Sequence, residues 1–280
     1  MNTISLSEII SKNKELGTKF TEDEYSIGVL SNVTVSPIDS IIEYSLRLKG
    51  VNARVELGDY DNILQDSTRF INKNAVVIFW ELINLIESIE IKIERMGAKD
   101  FEEISTRFES EILYVLNELK DTPLVIFNRF STSLDLNEPI LYRNIHRLCS
   151  NLNNVLEKKK SNNVILVDLD KIVALNGIKN TFDSRQFLNL KAPYTINFYQ
   201  SYVSKILPPM LSANGLSKKV LILDCDNTLW GGIVGEDGYN SIHLDQNSKK
   251  GEIYQIVHEM ILDLKDKGVM LAICSKNNSE

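Results

Sequence analysis

Two carboxylates, a thiol and a hydroxyl follow directly on an apolar run at Lys218-Lys219-Val220-Leu221-Ile222-Leu223-Asp224-Cys225-Asp226-Asn227-Thr228-Leu229-Trp230-Gly231-Gly232. Asp224 and Asp226 are two apart, so in extended backbone they lean to one side and Cys225 to the other. One carboxylate can attack, or hold a divalent cation, while the other exchanges a proton. Mg²⁺ takes a couple of carboxylates together with phosphate oxygens. The plain alternative is a capped turn, because Asp, Asn and Thr also end strands by bonding nearby backbone amides. The run 220–223 is expected to be an interior strand of a parallel sheet, buried on both faces, with its carboxyl end on the rim where ligands collect.

A second apolar run, Val269-Met270-Leu271-Ala272-Ile273-Cys274, ends in Ser275-Lys276-Asn277. Alone, such a Ser is a turn residue or helix cap; its order and spacing behind Asp224 give it interest. Between the two runs, 231–247 is rich in Gly, Asp and Asn and suits a hairpin flap. Residues 252–267 then carry Ile253, Ile256, Val257, Met260, Ile261 and Leu264 at helical spacing. The order is strand, flap, helix, strand.

Asp-x-Asp-x-Thr after an apolar strand resembles the first motif of the haloacid dehalogenase (HAD) superfamily, and the run ending in Ser275 resembles its second. The resemblance implies that Asp224 is the nucleophile and a Mg²⁺ ligand. It makes Asp226 the general acid/base that also helps place the metal, has Thr228 fix the turn, and has Ser275 hold a phosphate oxygen. The string Asp224 to Gly238, Asp-Cys-Asp-Asn-Thr-Leu-Trp-Gly-Gly-Ile-Val-Gly-Glu-Asp-Gly, is similar to the narrower FkbH-like branch. That branch is implicated in moving a glyceryl unit from bisphosphoglycerate to an acyl carrier protein, in polyketide or related biosynthesis. The superfamily's third-motif Lys and fourth-motif acid lie downstream of the hydroxyl motif, whereas the sequence given ends at Glu280 and Lys276 is too close to Ser275 to serve as that Lys. The expectation is therefore a HAD-like Rossmannoid domain represented only by its first part. As written it would hold Mg²⁺ weakly and be inactive in this chemistry, with a strand edge left open.

Length and composition bound the remainder. A chain of 280 residues suggests about two domains, and 43% hydrophobic with 25% charged residues is ordinary for a globular protein. A formal charge of −7 argues against a nucleic-acid surface. No apolar segment approaches the roughly 20 residues that span a bilayer, and the first twenty residues lack a signal-peptide apolar core. Cys149, Cys225 and Cys274 have neither disulfide nor zinc spacing and fit a reducing, cytoplasmic location.

From residue 25 onward, apolar strands at 26–30, 53–57, 75–80, 123–127 and 164–167 alternate with helices at 37–49, 101–120 and 139–159. A further helix at 196–211 leads into a linker. Such alternation predicts a three-layer α/β/α sandwich on a largely parallel sheet. The boundaries are an extension at 1–24, an α/β domain at 25–211, a linker at 212–217 and the partial HAD-like domain at 218–280. Leu30-Ser31-Asn32-Val33-Thr34, Asp183-Ser184-Arg185 and Lys191-Ala192-Pro193-Tyr194 resemble the amino-terminal region of FkbH-like proteins. That resemblance implies a sandwich similar to SGNH hydrolases, with flavodoxin-like layering. Ser31 has no Gly-Asp-Ser context and no His follows Asp183 at Asp-x-x-His spacing, so hydrolysis is not expected there. Ser31, Asn32, Glu81, Asn128, Arg129, Asp168 and Asp170 fall at strand ends on one rim, as ligand contacts or as caps and turn residues. His146, His243 and His258 are too scattered for a metal cluster. Trp230 either packs at the rim or walls the carboxylate pocket against water.

Cys225 separates the enzyme readings. In the glyceryl-transfer reading its thiolate accepts the acyl group from an acyl phosphate as a thioester and passes it to a phosphopantetheine thiol. In a Mg²⁺-dependent phosphatase acting on a small phosphorylated metabolite it only packs. The third possibility is a non-catalytic module that binds a partner.

Overall fold

The structure is a computed structural model that describes residues 4–21, 23–86, 89–133, 144–244 and 249–276. The chain divides into two compact units, Met1–Gly215 and Leu216–Glu280. Among the described residues no helix is long and apolar enough to cross a membrane.

In the first unit, strands β1 (Tyr25–Ser31), β2 (Ala53–Leu57), β3 (Ala75–Phe79), β4 (Leu124–Asn128) and β5 (Val164–Val167) form one parallel sheet in the order β2-β1-β3-β4-β5. Every residue of β3 and β4 is buried, as expected of interior strands covered on both faces. Alternation along β3 sends Val77 and Phe79 to one face and Val76 and Ile78 to the other, and each face has its own apolar core. One core is completed by α1 (Leu6–Gly17), α2 (Ile38–Arg47) and α10 (Ile196–Ala213). The other is completed by α5 (Ala98–Glu118) and α6 (Asn144–Lys159). Edge strand β2 exposes Arg54 and Glu56 between half-buried and buried apolar residues, charges that discourage pairing with another chain. Short helices α3 (Ile63–Arg69), α4 (Ile89–Lys92), α7 (Leu169–Asn176), α8 (Ile178–Thr181) and α9 (Ser184–Leu190) fill the connections.

The three-layer α/β prediction holds, and helix boundaries differ in detail. The segment 1–24 contains α1, capped by the Ser5 side chain on the Glu8 amide. That helix packs on α2 through a polar seam, Asn13 Nδ2 donating to Glu43 Oε2 (2.8 Å) and Arg47 Nη1 donating to Asn13 Oδ1 (2.7 Å). Of the predicted helix 139–159, residues 144–159 are helical and 139–143 lie outside the described residues.

The second unit contains β6 (Val220–Leu223), α11 (Val234–Asp237), α12 (Lys249–Asp266) and β7 (Met270–Ile273). Strands β6 and β7 pair in parallel across the α12 crossover, with Leu223 opposite Ile273. The expectation that β6 is buried on both faces is not met: Val220 is 46% and Ile222 65% exposed. Leu221 and Leu223 are half-buried, so an alternating strand replaces the interior one. An apolar run records a preference for burial, but its second face needs a covering layer, and the described residues of this unit do not supply one.

Candidate functional site

Beyond β6 the backbone turns tightly. The Cys225 carbonyl accepts from the amides of Thr228 (3.2 Å) and Leu229 (2.8 Å), and Asn227 adopts a left-handed conformation with φ 54°. Asn tolerates that region better than most residues. Its side-chain Oδ1 accepts from the Gly232 amide at 2.9 Å, closing the loop. This turn separates the surroundings of the three candidate side chains. Asp224 is exposed, Cys225 is 6% exposed, and Asp226 is half-buried.

The two carboxylates are held differently. Asp224 Oδ1 accepts from the Cys225 amide at 2.8 Å. Asp226 Oδ1 accepts from Trp230 Nε1–H at 3.1 Å and from the Val234 amide at 3.3 Å. Both donors stabilise a charged carboxylate. Ser275 is half-buried, two residues past the end of β7, and the neighbouring Cys274 amide donates to the Leu223 carbonyl at 2.8 Å. The ladder thus carries the ends of both strands forward in step, so that Asp224 and Ser275 follow adjacent carboxyl ends. Thr228 is half-buried inside the turn.

The expected flap at 231–247 is anchored by an antiparallel bridge between Gly231 and His243, with amide–carbonyl distances of 3.0 and 2.7 Å. It contains α11 and a single 3-10 turn at Tyr239–Ser241, while 245–247 and Asn277 lie outside the described residues. On α12, of the predicted apolar residues Val257 and Ile261 are half-buried while Ile253, Ile256, Met260 and Leu264 are exposed; Tyr254, Gln255 and His258 are half-buried beside them.

A donor set of two carboxylates and a hydroxyl suits a hard cation such as Mg²⁺, which binds through one or two carboxylates and fills its shell with water and substrate oxygens. Among the described residues no group of three or more His, Cys, Asp or Glu converges on one point. Asp224 and Asp226 supply the two carboxylates that such a site uses, both beyond the end of β6.

The rim of the first unit is used internally. Ser31 Oγ donates to the Val33 carbonyl (2.6 Å) and accepts from its amide (3.0 Å). Asn32 pairs with the backbone of Glu81 in both directions, Nδ2 to the Glu81 carbonyl (2.9 Å) and the Glu81 amide to Oδ1 (2.7 Å). Asn128 Oδ1 accepts from the Tyr202 hydroxyl at 2.8 Å. Arg129 pairs with Glu157 at 2.7 Å, Asp168 caps α7, and Asp170 accepts from the Ser131 and Ser133 hydroxyls. Asp183 caps α9. Trp80 is a core aromatic near Phe127 and Phe130, and His146 is exposed beside Thr132.

Glu81 is the unusual member of this rim. It is 1% exposed and its Oε1 has no hydrogen-bond partner among the described residues, as is also true of Asn128 Nδ2. Burial pushes its carboxyl up to about 7, with Tyr194 and Asn128 beside it opposing the shift. The same burial, aided by Glu81 and Asp170, raises the Cys149 thiol to about 11, which keeps it protonated and unreactive. Only the position of Glu81, directly after a wholly apolar run, signals its burial in the sequence.

No protein-family model matches the chain, and no curated protein matches it. Among solved structures, it is similar to the N-terminal part of the protein BF1531 from Bacteroides fragilis, which contains a phosphatase domain and was crystallised with Mg. The TM-score is 0.75 at 19% identity, over 98% of this chain and 74% of that one. The likeness shows the fold: both units share one two-part α/β architecture with that protein. Looser matches are the acetyl xylan esterase AlAXEase (TM-score 0.42, 11% identity, 65% of this chain and 98% of that one) and a lipolytic G-D-S-L family protein from Veillonella parvula (0.41, 12%, 66% and 97%). At those scores they add nothing to the assignment.

Proposed function

We propose that the second unit carries the chemistry, a Mg²⁺-dependent reaction on a phosphorylated substrate of the kind catalysed by HAD-like phosphatases and phosphoryl transferases. The supporting observation is the parallel β6–β7 pair, which brings Asp224 and Ser275 to neighbouring carboxyl ends of one sheet. The Mg crystallised with the Bacteroides fragilis protein favours the same metal here. Asp224, exposed, is the nucleophile; Asp226, steadied by the indole and by the Val234 amide, is the acid/base that protonates the leaving oxygen. The Ser275 hydroxyl binds a phosphate oxygen, and Thr228 keeps the turn in register. Asp224 and Asp226 would hold the Mg²⁺, which when bound supplies charge neutralisation at the phosphate.

A finer reading follows from the thiol between the carboxylates. Cys225 Sγ attacks the carbonyl of a glyceryl acyl phosphate of the bisphosphoglycerate type, the carbon–oxygen bond to phosphate breaks, and the thioester then exchanges onto the phosphopantetheine thiol of an acyl carrier protein. Burial of Cys225 means that the turn has to open for this reading to operate.

One set of assays tests both. Phosphate release that needs Mg²⁺, disappears in Asp224→Asn and persists in Cys225→Ser supports the phosphatase reading. A glyceryl mass increment on carrier protein or enzyme, lost in Cys225→Ser, supports transfer. Full biological complementation by Asp224→Ala would overturn both in favour of a partner-binding role.

A further inference from the structure

Helix α12 reaches the carboxylate turn at two places and the flap at a third, all on one face. His258 Nε2 lies 2.7 Å from the Leu229 carbonyl; since a carbonyl only accepts, Nε2 carries the proton and donates. One turn earlier, the Tyr254 ring covers Gly231 so closely that a Cβ there would lie 2.8 Å from Tyr254 Cε2. Gln255 Nε2 donates to the Leu244 carbonyl at 3.1 Å, at the far side of the flap. Residues 254, 255 and 258 span about 100° of the helix surface. The first two contacts bracket Trp230: Leu229 is tied on one side, and Gly231 is pressed against tyrosine on the other. Trp230 in turn donates its indole N–H to Asp226 Oδ1.

From this geometry we infer that His258 is a positioning residue: by holding the Leu229 carbonyl it fixes the Trp230 indole in place against the Asp226 carboxylate. The inference rests on the proposed role of Asp226 for its catalytic meaning, but the linkage itself is a statement about two hydrogen bonds in series. A histidine suits the task because its ring is stiff and its donor sits at the far end of the side chain. Gln places an amide nitrogen at a comparable reach, whereas Leu keeps the bulk and loses the donor.

The full chain labelled with 5-fluorotryptophan has two fluorine resonances, from Trp80 and Trp230. A Trp230→Phe sample assigns them. In His258→Leu the Trp230 resonance is expected to move and broaden while that of Trp80, buried in the first unit, stays in place; in His258→Gln both stay. With a phosphorylated substrate and Mg²⁺, His258→Leu is expected to lose about tenfold in kcat with KM unchanged, and His258→Gln to recover most of it. Should His258→Leu fail to fold, His258→Met, which also lacks the donor on a flexible side chain, carries the same expected change at Trp230. An unmoved Trp230 resonance in the folded variant overturns the inference whatever the activity. Absence of phosphate release from the unmutated protein, with the resonance shift intact, removes the catalytic role of Asp226 and leaves the positioning in place.

Discussion

Both units set polar side chains beyond the carboxyl ends of parallel strands, and they use that position in opposite ways. In the first unit Ser31, Asn32 and Asn128 are buried and bonded to neighbouring backbone or to tyrosine, while Glu81 is enclosed completely. In the second, Asp224 faces solvent and Asp226 is held on one oxygen by an indole and an amide. The strands differ in the same sense: β3 and β4 are buried throughout, and β6 is half open. The two strand ends thus differ in accessibility: the first is filled by internal hydrogen bonds, and the second is open to solvent at Asp224. On the proposed function, reactivity belongs to the second unit.

The sharpest way to break this division is Asp224→Asn. If the second unit is the reactive one, Mg²⁺-dependent phosphate release falls by about 10⁴-fold, close to 5 kcal/mol of transition-state stabilisation, with the melting curve unchanged. Retained turnover would return attention to the first unit. Next in size is Phe79→Ala: Phe79 is fully buried, with its ring centroid 4.5 Å from that of Tyr202, so urea titration should show a loss of about 3–5 kcal/mol.

Glu81 sharpens the contrast by pH. The folded carboxyl titrates near 7 against an ordinary 4.5, so between those values the folded chain holds a proton that the unfolded chain has released. Stability conferred by the protonated group is full below about 4.5 and is lost as pH rises to about 7, a span of about 3 kcal/mol at most. Glu81→Gln should flatten that step in melts collected across the window; an unchanged slope would assign the pH dependence elsewhere. The smallest effect is expected at Ile222→Ser, within about 0.5 kcal/mol, because that side chain is 65% exposed. A cost of several kcal/mol would mean that β6 has a covering layer in solution.

Much of the first unit is legible in its sequence because turn residues punctuate its apolar runs. Strands 53–57 and 164–167 agree at both ends with the structure, and the other three agree within one residue at each end. Helix α1 escapes that logic, because only Ile9 and Asn13 of its length are buried and Asn13 engages Glu43 and Arg47 through polar bonds that a hydrophobic period does not encode. The exposure of β6 is hidden for the converse reason: Val220 and Ile222 state a preference whose fulfilment depends on other segments. At the candidate site, the order and spacing of Asp224, Asp226 and Ser275 are visible at once. His258 is not, because its partner is a backbone carbonyl 29 positions earlier, and backbone atoms carry no residue identity to be matched.

The contrast between cysteines has a practical consequence. Cys225 is shielded, Cys149 is half-buried with its thiol pushed up to about 11, and Cys274 stands in solvent one residue ahead of Ser275. A brief exposure to a maleimide dye therefore tags Cys274 first. The chain thereby offers a built-in attachment point for a fluorescent reporter beside Ser275, with no engineered handle required.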